Sequence, residues 1–290
     1  MERDAFSRYH PAVNFIWFAG AIGFGVVLQH PAYLLAALGC SCVYYGMLLR
    51  RRAWKLMVGL IPLTALVAIL NPLINTRGET VLLTVFGRPY TLEALSYGLA
   101  LGVMFALMML WFGCYNRVMT SDKFVCLFGP LIPSLSLLLV LVLRLIPSFM
   151  RKTKQIADAR DAIGRGGSSA GTFREKAAAG MTILSALTDW ALEGSIVTAD
   201  SMRSRGYGAA RRTSYRIYTM TVRDWLLLVL ECLLIICLLA GMSAGTAEFT
   251  PAIIIPTLTW RFGAYVAFLA IPIILAWKEA LQWRILRSKI

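Results

Sequence analysis

Residues 92–112 read LEALSYGLALGVMFALMMLWF, an apolar run in which Glu93, near the start, is the single charged residue. A bilayer core of about 30 Å takes about 20 helical residues to cross, and a segment in lipid must satisfy its own backbone polar groups. This run therefore predicts a membrane-spanning helix. The whole chain agrees, because its 290 residues are 58% hydrophobic and only 15% charged, with a mean hydropathy of +0.68. Such a composition excludes an ordinary soluble domain.

Further apolar runs of comparable length occur on both sides of this segment. They are Val13 to Gln29, Pro31 to Leu49, Trp54 to Leu73, Trp225 to Met242 and Pro251 to Trp277. Because open strands are not stable in hydrocarbon, the sequence predicts an all-α fold, a polytopic membrane helical bundle of about six spans.

The charge is distributed unevenly, and this asymmetry predicts the orientation of the chain. The net charge is +14, and residues 148–223 hold thirteen Lys or Arg against six Asp or Glu. Lys and Arg accumulate in cytoplasmic loops of membrane proteins, so we interpret the basic charge as topological and expect no nucleic-acid partner. If the apolar run Leu131 to Ile146 crossed the membrane, the basic stretch would lie outside. We therefore expect this run to lie partly embedded along the inner face, with both termini of the chain cytoplasmic.

The basic stretch itself has a helical pattern. Helix formers dominate from Ser148 to Ile163, a Gly-rich break follows at residues 164–171, and an amphipathic pattern runs from about Thr172 to Arg205. An interruption of this second helix at Gly180 is an open alternative. The sequence thus predicts two long amphipathic cytoplasmic helices, each with arginine near its C-terminal end. Three regions follow: residues 1–130 and 224–290 in the membrane, and residues 131–223 as the cytoplasmic helix region.

Short motifs along the chain resemble those of one transporter family. The sequence ADSMRSRGYG at residues 199–208 resembles the A-M-x-x-R-G-Y signature that closes the second coupling helix of T components of energy-coupling factor (ECF) transporters. LRLIP at residues 143–147 resembles the R-F-I-P segment that opens their first coupling helix. TSD at residues 120–122 resembles the Thr-rich turn that precedes that helix, and His10-Pro11 resembles a motif before their first span.

The resemblance implies a division of labour among subunits in the cell membrane. Two ATP-binding ABC subunits hydrolyse ATP, a small membrane S component binds a vitamin or metal ion, and the T component couples the two. The implied ATPase contacts are Arg205 and Gly206, with Arg203 beside them. For the first coupling helix, the family's arginine position aligns with Ile163, so Arg160 and Arg165 remain alternatives. The cargo, and whether the two ATPases are identical, stay open.

Other function classes have weaker support in the sequence. A self-contained secondary permease needs charges on several spans, whereas this chain offers Glu231, which we interpret as snorkelling or meeting a partner helix. An intramembrane enzyme is the least supported, because no paired His, Ser-His set or H-E-x-x-H sequence indicates one. The sequence also has no phosphate-binding G-x-x-x-x-G-K-[ST] loop, which agrees with a subunit that binds no nucleotide. The six cysteines form no C-x-x-C pair. We therefore expect a non-catalytic subunit with no cofactor and no metal site.

Overall fold

The computed structural model describes residues 5–49, 53–75, 78, 80–85, 88–129, 133–164, 172–209, 218–240 and 259–287. After a 3-10 turn at Phe6–Arg8, the helices of this part of the chain are α1 (Pro11–Val27), α2 (Pro31–Leu49), α3 (Ala53–Ile74), α4 (Leu92–Val118), α5 (Ser121–Phe128), α6 (Pro133–Ala162), α7 (Phe173–Ser204), α8 (Val222–Leu239) and α9 (Arg261–Arg287). Two short strands, β1 (Val81–Val85) and β2 (Arg88–Thr91), lie between α3 and α4. The predicted helical membrane bundle is confirmed.

A helix occupies each position where a span was predicted. Among the described residues, four helices are long and apolar enough to cross a membrane: α2, α3, α4 and residues 261–283 of α9. The apolar helix α1 is shorter, at 17 residues, and α8 carries Arg223, Asp224 and Glu231 within its 18 residues. Residues 251–258 of the last predicted span lie outside the described residues.

The chain forms two compact units. The first contains residues 1–124 and 218–290, and the second contains residues 125–217. The division into regions 1–130, 131–223 and 224–290 made from the sequence stays a prediction.

Small residues let α3 and α4 approach each other closely. Ala94, Gly98, Gly102 and Ala106 recur every fourth residue along α4, and all four are buried. A Cβ atom added to Gly98 would lie 2.9 Å from the backbone oxygen of Ala68, and one added to Gly102 would lie 2.8 Å from that of Thr64. Such small-residue faces bring membrane helices into backbone contact and strengthen their van der Waals packing.

An aromatic cluster fills the centre of the first unit. Trp17, Trp111 and Phe268 are fully buried, and the Trp17 ring lies 5.1 Å from that of Trp111 and 5.8 Å from that of Phe268. The Trp17 indole N–H donates a 2.9 Å hydrogen bond to the Phe268 carbonyl. Pro272, one turn later in α9, has no N–H to offer that carbonyl. The indole of α1 therefore supplies the bond that the proline removes.

A β-hairpin lies between α3 and α4. Strands β1 and β2 pair antiparallel, and the second leads directly into α4. Thr91 caps α4 by accepting a bond from the Ala94 N–H. The buried Glu93 carboxylate accepts bonds from the Thr80 hydroxyl at 2.6 Å and the Thr80 N–H at 3.2 Å. These bonds hold the hairpin against the start of the helix.

The second unit contains the two long helices predicted in the basic region. Residues 133–146 of the apolar run and residues 147–162 form one continuous helix, α6, which runs through Pro147, whereas residues 131–132 of that run lie outside the described residues. Helix α7 begins at a capping box made by Thr172 and Glu175. It is also continuous through Gly180, so the alternative of an interruption there was wrong. A lone glycine costs about 1 kcal/mol relative to alanine, too little to break a helix flanked by good helix formers.

Candidate functional site

The C-terminal end of α7 carries the motif that the sequence analysis singled out. Arg205 is the C-cap residue, and Gly206 follows with φ of +79°. The Gly206 N–H donates to the Arg203 carbonyl at 3.0 Å, and the Tyr207 N–H donates to the Met202 carbonyl at 3.0 Å. This pair of bonds is a Schellman motif, which requires a left-handed residue just beyond the cap. Gly206 is thus explained by the backbone that it must adopt.

The arginines at this end are presented outward. Arg203 and Arg205 are both exposed, and neither guanidinium bonds to another residue in the part of the chain that the structure describes. The unpaired carbonyls at a helix C-terminus favour a nearby cation, and the guanidinium offers five N–H donors in a planar fork. This helix end can therefore bind a carboxylate or a cluster of carbonyls from another molecule.

The end of α6 resembles that of α7 in its backbone but differs in its arginine. Gly164 has φ of +71° and donates its N–H to the Asp161 carbonyl at 3.0 Å. Arg160, in the last turn of α6, is half-buried and interacts within the chain. Arg165 lies outside the described residues. The choice between these two arginines for the first helix end therefore stays open.

Aromatic contacts join the two helices of the second unit. The Phe149 ring of α6 meets the Trp190 ring of α7 edge to face, with centroids 5.6 Å apart. The Lys152 ammonium lies 5.8 Å from the centre of the Trp190 ring, within the range of a cation–π interaction. These contacts fix α6 against α7 near the middle of both helices.

Apolar side chains remain exposed along both helices of the second unit. On α6, residues at helical spacing line a shallow groove of ≈ 500 Å³; they are Ile146, Phe149, Met150, Thr153, Lys154 and Ala157. On α7, large apolar residues are more than half exposed; they are Phe173, Met181, Leu184, Leu192, Ile196 and Val197. Large exposed apolar side chains of this kind are typical of surfaces that contact a protein partner or a membrane. The sequence analysis recognised these helices as amphipathic but did not identify the groove.

Glu231 in α8 faces the interior of the first unit. Its side chain is fully buried, on the same helix face as Asp224 and Leu238. Neither carboxylate oxygen has a hydrogen-bond partner among the described residues. Snorkelling, one of the two interpretations of this residue, was therefore wrong, and Glu231 instead packs within the bundle. No group of three or more His, Cys, Asp or Glu that could hold a metal occurs in the described ranges.

Comparison with known families gives one match. The family model described as cobalt transport protein, CbiQ, matches residues 3–215. The matched range includes α1 to α7 and so contains both long helices of the second unit and the Arg205-Gly206 end. No curated protein matches the sequence.

Proposed function

The chain belongs to the CbiQ family of cobalt transport proteins, which is the family of ECF transporter T components, and on this premise we propose that it is the transmembrane coupling subunit of an ECF-type ABC importer. In this role it links ATP hydrolysis in two ATP-binding subunits to reorientation of a membrane S component that carries a vitamin or metal ion. The chain itself is non-catalytic and binds no nucleotide.

The observation that carries the proposal is the exposed arginine end of α7. Arg205 stands at a Schellman turn, and its guanidinium makes no bond to another residue of the described chain, so a bond between this guanidinium and a partner breaks none within the subunit. A groove that offers a carboxylate satisfies its fork of donors and is further favoured by the helix dipole. The exposed apolar faces of α6 and α7 supply the contact area that a charged pair alone does not.

The orientation proposed for the chain, with both termini cytoplasmic in the cell membrane, has support from contacts at one end of the first unit. The His10 N–H donates to Asp224 at 3.0 Å, so α1 and α8 start at the same end of the bundle. Arg8 and Glu279 form an ion pair of 2.9 Å, which brings the last part of α9 to that end too. The basic excess of residues 148–223 favours the cytoplasm for this end.

Replacing Arg205 tests the proposal. Removing one member of a buried interfacial charge pair costs about 2–5 kcal/mol, so Arg205→Ala should lower the amount of ATP-binding subunits that co-purify with the tagged chain by at least about tenfold. Arg205→Lys should restore part of it, because a point charge does not reproduce the fork. Arg174→Ala is the matched control, because Arg174 is an exposed arginine near the opposite end of α7.

Two outcomes would contradict this function. Recovery of no ATP-binding subunit with the unmodified chain would reject the coupling role altogether. Normal recovery with Arg205→Glu, at an unchanged amount of chain in the membrane, would show that the arginine end is only a solvated cap.

A further inference from the structure

Two buried charged residues stand where the chain leaves the first unit and where it returns. The first unit ends at Phe124 and resumes at Tyr218. Lys123 lies directly before the exit and has 4% of its surface exposed, and Asp224 lies shortly after the return and has 5% exposed. Lysine and aspartate are seldom buried to this degree unless they are paired or hydrogen-bonded, so the contacts of both residues require an explanation.

Lys123 bonds to the N-terminal segment. Its ammonium group donates to the backbone carbonyl of Ser7. With the Asn14 amide oriented so that both of its ends are satisfied, the Asn14 oxygen accepts a second bond from Lys123 at 2.8 Å, and the Asn14 nitrogen donates to the Phe6 carbonyl at 2.9 Å. The Ser7 carbonyl and the Asn14 amide oxygen stabilise the buried Lys123 cation, and the bonds hold the start of α5 against residues 6–14.

Asp224 follows residues 125–217 of the second unit, which we call the coupling region, and it bonds to the same N-terminal segment. One of its oxygens accepts the His10 N–H at 3.0 Å, and the other accepts the Thr221 N–H at 2.8 Å and the Thr221 hydroxyl at 2.7 Å. Burial raises the pKa of the Asp224 carboxyl, but the bonds from Thr221 and from the His10 N–H lower it by more, so the pKa lies below its ordinary value. The carboxylate therefore stays ionised and keeps its three bonds.

His10 connects these contacts to α1. Its ring Nδ1 accepts the Ala12 N–H at 3.2 Å and so caps α1, while its own backbone N–H is donated to α8 through Asp224. The nearby Arg8–Glu279 pair is 59% exposed at its arginine, so it contributes little by comparison. We call the contacts of Ser7, His10 and Asn14 with Lys123 and Asp224 the N-terminal clasp.

We propose that Lys123 and Asp224 are positioning residues for energy coupling, which hold both ends of the coupling region on the N-terminal clasp and so pass its displacement into α1. The inference rests on the proposed function. The covalent chain connects the coupling region to α4 and α8. The N-terminal clasp adds a connection from both ends of the coupling region to α1, whose Trp17 and Phe18 lie in the aromatic core. A movement imposed on α6 and α7 thereby reaches the centre of the bundle.

Hydrogen exchange measured by mass spectrometry tests the clasp in the intact complex. The tagged chain is purified with its ATP-binding subunits and compared without nucleotide and after trapping with ATP and vanadate. The His10 amide is itself one of the clasp bonds, so peptides covering residues 5–14 report its opening directly. In the unmodified complex we expect trapping to change the exchange rate of this segment on the order of fivefold. Lys123→Met should reduce that change to less than about twofold, with ATPase recovery unaltered.

Matched variants distinguish the loss of transmitted movement from a general loss of protein stability. Asp122→Asn and Arg223→Gln alter exposed neighbours of the two clasp residues and should leave the response of residues 5–14 intact. Lys123→Arg keeps a positively charged group with N–H donors, so it should preserve most of the exchange response of residues 5–14.

A full response of residues 5–14 in the Lys123→Met complex would overturn the inference. So would an unmodified complex in which trapping changes the exchange of α7 but not of residues 5–14, and this result needs no variant to fold. If no ATP-binding subunit co-purifies, or if α7 itself does not respond, the proposed function fails, and the inference fails with it.

Discussion

Replacing Trp17 by phenylalanine removes one hydrogen bond from the centre of the bundle and nothing else that is polar. The indole N–H of Trp17 donates to the Phe268 carbonyl at 2.9 Å, and Pro272 prevents α9 from supplying that bond itself. In Trp17→Phe the carbonyl is left buried without its donor. We expect this to cost about 1–3 kcal/mol of unfolding free energy, in addition to the cost of the smaller ring.

Trp111 provides a control for the change in ring size. It is also fully buried, and its indole N–H has no partner among the described residues. Trp111→Phe therefore loses ring volume but no hydrogen bond, and it removes an unsatisfied donor. The difference between the two variants cancels the loss of ring volume and contains the lost bond to Phe268 together with the removal of the unsatisfied Trp111 donor, so Trp17→Phe should be the more destabilised by at least about 1–3 kcal/mol.

A double-mutant cycle with Pro272→Ala makes the test sharper. An alanine at this position restores an N–H that can bond to the Phe268 carbonyl within α9. In the Pro272→Ala background, Trp17→Phe no longer leaves the Phe268 carbonyl without a donor. The loss of unfolding free energy caused by Trp17→Phe should therefore be smaller by about 1–2 kcal/mol.

Unfolding in mixed detergent micelles, followed by far-ultraviolet circular dichroism, gives the free energies without relying on tryptophan fluorescence. Equal destabilisation by Trp17→Phe in the unmodified chain and in the Pro272→Ala background would refute the reasoning, because the bond would then not depend on the proline.

Two further changes follow from packing in the first unit. Gly98→Leu should prevent accumulation of folded protein in the membrane, because its Cβ would lie 2.7 Å from the Asn71 Cβ and 2.9 Å from the Ala68 backbone oxygen. The control is Gly59→Leu, where nothing lies within 4 Å of the added Cβ, and this variant should accumulate normally. A membrane immunoblot measures both variants. Glu231→Met should raise the unfolding free energy by about 1 kcal/mol or more, because an apolar side chain of similar length replaces a buried carboxyl with no hydrogen-bond partner among the described residues. A lower thermal midpoint in detergent would contradict this.

The positions of the helices were predictable from the sequence because crossing a bilayer demands long apolar runs. Each predicted span contains a helix, and α7 ends at the predicted Arg205-Gly206. The end of α7 was predictable for a local reason, since a glycine after a basic last turn is sufficient to form the left-handed stop.

What escaped prediction depends on contacts between distant parts of the chain. His10 and Asp224 are 214 positions apart, and Lys123 and Ser7 are 116 apart. No local pattern marks such pairs, so Lys123 and Asp224 looked like ordinary charges at the ends of apolar runs. The hairpin after α3 was missed for a related reason: its short strands are held by Glu93 through Thr80, a bond that becomes visible only once the chain has folded back.

The N-terminal clasp also determines how freely the coupling region can vary. Because Lys123 and Asp224 are both fixed to residues 7–14, the bundle itself brings together the two chain ends between which the coupling region is inserted. The entropy of closing a loop between fixed ends changes by only about 0.6 kcal/mol for each doubling of its length. The bundle thus fixes the two ends of the coupling region at Lys123 and Asp224. The region between these two residues can change in length at little cost in free energy. The length and sequence of that region can then vary while the helices of the first unit keep their packing.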